Sequence, residues 1–323
     1  MSMQSTTREL LIRQMRWESE DVLSLRLEAT GDAALSHWEP GAHLDIHLDQ
    51  QFGSSLVRQY SLCGDPDEKA TYRIAVLRER DGGRGGSRHV HERLRPGQRI
   101  QASEPRNNFE LLDSPKYLFI AGGIGITPIL SMVAEAQRRG ADWQLHYGGR
   151  THASMAFLDE LRCYGDRVRL VAQDVEGPLD LDRLLGAAAA DTLVYTCGPA
   201  GLLDAVEERG AGWPDGSIRL ERFAPKEAEG RDGAEKSVRV VLEKTGIALT
   251  VGPDQSILDA LEVSGVDVSN SCREGICGTC ETRVLCGTPD HRDSLLSSSE
   301  QASGKTMMIC VSRALTDELV LDI

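Results

Sequence analysis

Cys272, Cys277 and Cys280 stand in the stretch C-R-E-G-I-C-G-T-C, and Cys310 follows thirty residues later. This C-x4-C-x2-C…C spacing suits four thiolates around a plant-type [2Fe–2S] cluster, which carries one electron at a time and bonds to no substrate. Four thiolates also suit a structural Zn2+, but zinc knuckles come as two C-x2–4-C pairs. Here three cysteines crowd into nine residues with Gly275 and Gly278 between them. Small residues there let the loop wrap a cluster and aim backbone N–H groups at its sulfurs. Cys63, Cys163, Cys197 and Cys286 have no partner spacing, and Cys286 reads as a structural or incidental thiol despite lying near the loop.

A carrier of single electrons needs a source, and five further stretches suggest one. Arg58-Gln59-Tyr60-Ser61 sits in what reads as the fifth β run; the arginine could pair with a phosphate in bidentate fashion and the tyrosine could stack on a ring, although a strand tyrosine is also ordinary core. Gly82-Gly83-Arg84-Gly85-Gly86-Ser87-Arg88 precedes a short helix at about 88–94. Its glycines permit close backbone approach, and a helix N-terminus favours an anion; a plain hairpin loop would look similar. Ala121-Gly122-Gly123-Ile124-Gly125-Ile126-Thr127-Pro128 follows an apolar strand and opens a helix, with Thr127 expected as N-cap and Pro128 at the first helical position. A nucleotide binds at such a turn in parallel-sheet folds, although the stretch is not G-x-G-x-x-G. Thr196-Cys197-Gly198-Pro199 forms a second turn of this kind, and it faces the first if the sheet is wound in the usual order. Cys197 there could touch a nicotinamide ring or be a small buried apolar residue. Glu221-Arg222-Phe223 ends the same region, and its aromatic could cover a flavin ring or be simple core.

The elements that must position these residues fall into three segments. Residues 8–104 read as all-β, with alternating runs at Val22–Leu27, His43–Leu48, Tyr72–Leu77 and Gln98–Ala102 between turn signals such as Pro40-Gly41 and Pro96-Gly97, a pattern of barrels. In the second run Leu44, Ile46 and Leu48 face one way and His43, Asp45, His47 and Asp49 the other. Residues 115–223 alternate apolar strands, Tyr117–Ala121, Trp143–Tyr147, Val168–Ala172 and Thr192–Thr196, with helical stretches at about 127–139, 154–163 and 199–209, which means βαβ units and a parallel sheet. Residues 224–236, APKEAEGRDGAEK, have linker composition. The remainder is a small domain of strands and one helix, with Ser256 as N-cap of Ile257–Val263.

With 323 residues, 40% apolar and 27% charged, the chain reads as an ordinary soluble protein of two or three domains. No run of 18 apolar residues and no signal pattern at Met1–Leu10 is present, so a cytoplasmic protein without membrane spans is expected. Eight cysteines without an export signal argue for metal or redox use rather than disulfides. A net charge of −14 argues against nucleic acid as a partner. It fits docking to a basic patch on another protein equally well as the general acidity of soluble proteins.

The ordered set R-x-Y-S, G-R-G-G-S, G-G-I-G-I-T-P, C-G-P and C-x4-C-x2-C…C, together with P-D-H-R-D at 289–293, resembles the phthalate dioxygenase reductase family over about residues 8–323. This is the class IA group of Rieske oxygenase reductases, which includes the vanillate demethylase and carnitine monooxygenase reductases and serves the oxidative breakdown of aromatic compounds among other substrates. The resemblance implies three modules: an antiparallel β-barrel of ferredoxin-reductase type for FMN (1–112), a parallel-sheet α/β NADH domain (113–225), then a linker (226–236) and a β-grasp ferredoxin domain (237–323). By similarity the FMN contacts fall on Arg58, Tyr60, Ser61, Ala75, Val76, Leu77, Arg84, Gly85, Gly86, Ser87, Thr127 and Phe223. The NADH contacts fall on Gly123, Gly125, Thr127, Pro128, Cys197, Gly198 and Pro199, which puts hydride transfer near Ser61, Thr127, Cys197 and Phe223. FMN is expected over FAD because little chain separates Ser87 from Ile100 to hold an adenosine. NADH is expected over NADPH even though Arg150 follows the second strand of the parallel sheet. The implied path is NADH, FMN, cluster, then a Rieske-type oxygenase, with the reductase a monomer when free. Two other readings stay open: a subunit held permanently in a complex, and a stand-alone flavin and iron–sulfur NADH oxidoreductase.

Overall fold

The computed structural model describes residues 7–31, 34–48, 56–80, 85–226 and 236–323. Arg84 and most of the expected linker lie outside the described residues. The described residues up to Glu221 form one compact unit, and those from Arg222 to Ile323 a second.

The first unit begins with β1 (Thr7–Ser19), β2 (Val22–Ala29), β3 (Ala42–Leu48), β4 (Leu56–Ser61), β5 (Thr71–Leu77), α1 (Gly86–Arg93), β6 (Arg99–Ser103) and β7 (Arg106–Asn107). The strands run antiparallel in the order β4-β3-β6-β1-β2-β5, with β7 added to β3, and a bridge between Leu62 and Ile74 returns the β4 edge to β5. The sheet is thus rolled into a barrel around Leu10, Ile12, Leu25, Leu27, Leu44 and Ile46, all fully buried, and Val90 of α1 joins that core. The R-x-Y-S stretch lies in the fourth strand, not the fifth, since Thr7–Ser19, Val22–Ala29 and Ala42–Leu48 are the only strands before it among the described residues. The polar face of β3 is also covered. His43 and Asp45 are buried, and Asp45 accepts hydrogen bonds from Arg106 (2.7 Å) and Gln59 (3.1 Å). A buried carboxylate is tolerated only when paired in this way.

The chain then alternates β8 (Lys116–Gly122), a 3-10 turn at Gly123–Gly125, α2 (Ile126–Arg138), β9 (Asp142–Gly149), α3 (Leu158–Arg162), β10 (Val168–Ala172), α4 (Gln173–Glu176), α5 (Leu181–Leu185), β11 (Thr192–Cys197), α6 (Ala200–Arg209) and β12 (Ile218–Glu221). All five strands are parallel, in the order β10-β9-β8-β11-β12. On one face α2 buries Ile129, Met132 and Val133 against Phe119, Leu145 and Tyr147; on the other, Leu181, Leu185 and Val206 meet Ile120 and Val194. The helical stretch expected at 154–163 is shorter. A 3-10 turn at His152–Ser154, capped by Thr151, is followed by Phe157 at φ 61, and α3 starts only after it. Helices α4 and α5, of four and five residues, are too short to leave a periodic signal.

Barrel and parallel sheet share apolar packing, with Val22, Cys63 and Ala75 in one cluster with Ile126 and Phe157. Arg73 on β5 ties them further. Its guanidinium donates to both carboxylate oxygens of Glu160 on α3 (2.9 and 3.0 Å), its Nε donates to the Cys63 carbonyl (3.0 Å), and it lies 5.1 Å from the centre of the Phe157 ring. Arg73→Ala should lower unfolding stability of this unit by about 2 kcal/mol, since it strands a buried carbonyl and loses the stacking contact. Glu160→Ala should cost under about 1 kcal/mol, because that carboxylate is 44% exposed and screened. Denaturant midpoints of the two variants check this; equal losses would put the weight of the clamp on the ion pair alone.

The second unit comprises β13 (Val238–Leu242), β14 (Ala248–Val251), α7 (Ile257–Val263), β15 (Glu281–Cys286), β16 (Pro289–Asp290), α8 (Ser298–Ser303), β17 (Thr306–Met308), β18 (Arg313–Ala314) and β19 (Glu318–Leu321). Its main sheet runs β14-β13-β19-β15-β17, with β13 and β19 parallel. Leu258 and Leu261 of α7 pack across it on Val240, Leu242, Leu319 and Leu321, the helix-over-mixed-sheet arrangement of a β-grasp. The Ser256 side chain accepts from the Asp259 N–H at 3.0 Å, so the expected N-cap is in place. No helix among the described residues is long and apolar enough to cross a membrane.

Candidate functional site

Strand β4 brings Arg58, Tyr60 and Ser61 beside β3, with Ser61 opposite His43 and Arg58 opposite Ile46. Helix α1 packs against both β4 and β5 and thereby joins them. The Arg58 side chain lies flat on Gly86, the first residue of α1: a β-carbon there would fall 2.7 Å from Arg58 Cγ and 2.8 Å from its Nε. Gly85, at φ 79, makes the turn into the helix, a conformation that costs a glycine little. A guanidinium and the free N–H groups of a helix start therefore converge, which fits a terminal phosphate. The Glu79 N–H donates to Ser87 Oγ at 3.2 Å, and His91 Nε2 lies 2.9 Å from the Val76 carbonyl, so Ala75-Val76-Leu77 and the Gly85-Gly86-Ser87 turn form one wall. Burial pushes the Tyr60 phenol up, so it stays protonated.

The two glycine turns of the parallel sheet meet, as the strand order requires. Strands β8 and β11 are neighbours, with Cys197 opposite Ala121, and the connections leave the sheet in opposite directions on either side of this pair. That reversal opens the crevice where nucleotides bind in open α/β sheets. A β-carbon on Gly122 would lie 2.8 Å from Pro199 Cδ, and one on Gly125 would lie within 2.5 Å of the Gly198 nitrogen. The Gly123–Gly125 turn also meets β5, which sets the crevice beside the wall of the barrel. Thr127 is not the N-cap of α2. The 3-10 turn extends the helix upstream, so Thr127 sits inside its first turn, 2% exposed, and its Oγ1 donates to the Ile124 carbonyl at 3.0 Å. Pro128 is then the third helical residue instead of the first, which is tolerated because the N–H groups of the first turn have no helical acceptor.

Cys197 is fully buried, and burial together with neighbouring Glu221 pushes its thiol well above the ordinary range. Glu221, opposite Cys197 in the β11–β12 register, is a residue that motif reading passed over. Its Oε2 is buried without a hydrogen-bond partner among the described residues, and burial pushes its carboxyl up to about 8. The residue as a whole is only half-buried, and nothing in E-R-F marks its carboxyl oxygen as covered. The folded state holds a proton that the unfolded chain releases from about 4.5 upward, so stability is full at low pH and declines as pH rises towards about 8. Glu221→Gln should leave the melting temperature unchanged at pH 5 and raise it by roughly 5 °C at pH 8.5. A melting temperature raised equally at both pH values would contradict that assignment. Phe223 follows β12 by two residues and is 41% exposed.

In the second unit the loop between α7 and β15 carries Cys272, Cys277 and Cys280, and Cys310 follows β17; their exposures are 4, 3, 3 and 8%. None is in a disulfide. The four thiols are mutual neighbours, and their interaction holds Cys272 below the ordinary thiol range and pushes Cys310 above it. The Glu274 N–H points at Cys272 Sγ (3.3 Å), the Cys272 N–H at Cys277 Sγ (3.4 Å), and Thr279 Oγ1 lies 3.3 Å from Cys277 Sγ. Donors aimed at sulfur stabilise thiolate and tune an iron–sulfur centre. Among the described residues no three His, Cys, Asp or Glu converge as a cage for a single ion. A binuclear cluster does not ask for one, since its four thiolates are shared between two irons. Cys286 is exposed.

A barrel wall with an anion cradle, a nucleotide crevice beside it and a buried thiol quartet in a second unit define a flavin- and iron–sulfur-dependent pyridine-nucleotide oxidoreductase. Residues 119–208 match the oxidoreductase NAD-binding domain and residues 240–315 the 2Fe-2S iron-sulfur cluster binding domain. The chain is 42% identical to the phenoxybenzoate dioxygenase subunit beta of Ectopseudomonas oleovorans, over 97% of each. It matches the crystal structure of phthalate dioxygenase reductase, described as modular for electron transfer from pyridine nucleotides to [2Fe–2S], at TM-score 0.69 and 34% identity over 98% of each chain. It also matches an intact type IV self-sufficient cytochrome P450 monooxygenase at TM-score 0.90 and 40% identity, covering 98% of this chain but 41% of that one. The chain belongs to the phthalate dioxygenase reductase family, the reductase components of oxygenase systems.

Proposed function

We propose that this chain draws electrons from NADH and delivers them singly to a Rieske-type oxygenase. When bound, NADH supplies a hydride, FMN accepts its two electrons and parts with them one at a time, and the [2Fe–2S] cluster carries each onward. The observation that carries the reading is the meeting of the two glycine turns against β5, which brings a nucleotide crevice to the wall that bears the phosphate cradle.

In this reading Arg58, Gly85, Gly86 and Ser87 hold the FMN phosphate; Arg84, assigned to the same role by the resemblance, lies outside the described residues. Tyr60, Ser61, Ala75, Val76 and Leu77 line the flavin and Thr127 closes its nicotinamide side; Phe223 is assigned to FMN by the resemblance alone. Gly123, Gly125, Pro128, Gly198 and Pro199 seat NADH, while Cys197 supports the floor of the crevice. Cys272, Cys277, Cys280 and Cys310 ligate the cluster. The segment boundaries read from the sequence serve as module boundaries, and the protein acts as a cytoplasmic monomer, where NADH is available and thiols stay reduced.

The match to a P450 monooxygenase at TM-score 0.90 favours a second reading of the partner, a haem monooxygenase. Mixing the protein and NADH anaerobically with a Rieske oxygenase, and separately with a P450 haem domain under CO, distinguishes them. Faster bleaching of the Rieske bands supports the first; preferential growth of a 450 nm band supports the second.

A further inference from the structure

Arg273 follows the first cysteine of the loop and has φ 58, one of two non-glycine residues with positive φ among the described residues, the other being Phe157. The left-handed region costs a residue with a β-carbon on the order of 1 kcal/mol. Gly275 and Gly278 take φ 69 and 72 in the same loop at no such cost, so a glycine would make the turn at 273 equally well. The arginine side chain therefore offsets the strain through what it touches. Nη1 donates to Asp259 Oδ1 (3.1 Å), Nη2 to Glu262, and Nε to Asn270 Oδ1 (3.3 Å). Asp259 and Glu262 are one turn apart on the same face of α7. Next in the chain, the Glu274 N–H reaches Cys272 Sγ at 3.3 Å.

We propose that Arg273 is a positioning residue that fixes the cysteine loop against α7 and sets the reduction potential of the cluster, by holding a cation on two α7 carboxylates one residue from Cys272. Reduction adds a negative charge to the cluster. With Arg273 in place the two α7 carboxylates are partly neutralised; without it they face that charge unopposed. The acids without the arginine should disfavour reduction, and the arginine without the acids should favour it. This inference rests on ligation by the four cysteines.

The test uses the full-length protein in three forms: parent, Arg273→Gln, and the double variant Asp259→Asn with Glu262→Gln. The potential is read by mediated redox titration of the cluster absorbance, with EPR of the reduced centre as a second readout. Arg273→Gln should lower the reduced-to-oxidised ratio at fixed ambient potential about tenfold, which is about 59 mV for a one-electron couple. The double variant should raise that ratio several-fold. Both ratios staying within about twofold of the parent, or moving in the same direction, would overturn the proposal; a purely structural anchor would weaken cluster retention in both without opposite shifts. Where Arg273→Gln fails to hold a cluster, the double variant decides alone: a rise supports the proposal and an unchanged potential refutes it. A parent protein lacking iron–sulfur absorbance and EPR signal would instead overturn the cysteine assignment, and the proposal with it.

Discussion

Replacing Cys280 by serine should abolish electron delivery to any protein acceptor, by more than about 100-fold, while NADH still reduces the flavin. Cys280 is 3% exposed and sits in the apolar core with Cys310, Met307, Met308 and Ile309. A serine hydroxyl is a harder ligand with a much higher pKa than a thiol, so the centre loses a soft anionic donor that iron–sulfur chemistry requires. The purified variant should lack the cluster bands and reduce cytochrome c slowly, yet reduce ferricyanide at close to the parent rate, because a small oxidant can reach the flavin directly. Cytochrome c reduction at the parent rate would show that electrons bypass the second unit. Cys286→Ser, at an exposed thiol, serves as the control and should change neither rate.

Gly125→Ala should have the next largest effect, a loss of at least about 100-fold in kcat/KM for NADH, near 3 kcal/mol. The new methyl would fall within 2.5 Å of the Gly198 nitrogen and still closer to the Cys197 carbonyl, all backbone atoms of the opposing turn. Backbone cannot swing aside as a side chain does, so β8 and β11 must part at the mouth of the crevice. Gly123→Ala makes the contrast: no atom lies within 4 Å of its would-be β-carbon, and the cost is only the φ of 53, on the order of 1 kcal/mol. Steady-state kinetics of the two variants, with flavin content measured alongside, check this. A Gly125→Ala enzyme with normal NADH kinetics would place the nucleotide elsewhere.

These effects also show which parts of the molecule were legible from residue order. Strands β8, β9, β10 and β11 announce themselves as apolar runs, and glycines at 122, 123, 125 and 198 mark the turns after them, because a parallel sheet buried on both faces leaves few alternatives. The cysteine loop is legible for a similar reason: ligation dictates spacing. What stays hidden depends on partners distant in the chain. Asp45 looks like the solvent face of a strand until Arg106 and Gln59 are seen to cover it. Glu221 looks like a surface charge until its Oε2 is found covered in the half-buried strand beside β11. Thr127 carries good capping chemistry, but the 3-10 turn ahead of it starts the helix early and turns its hydroxyl back to Ile124. Arg273 is visible in the sequence, but its left-handed backbone and its fork onto α7 are not.

The most direct measurement is an anaerobic titration of the purified protein with NADH, followed in the visible spectrum and completed by release and identification of the flavin. The predicted result is bleaching of flavin and cluster bands together, complete near 1.5 NADH per chain since FMN takes two electrons and the cluster one, with FMN released. Cluster bands that NADH leaves untouched would contradict the path from crevice to barrel wall to thiol quartet, and FAD in place of FMN would contradict the terminal-phosphate cradle.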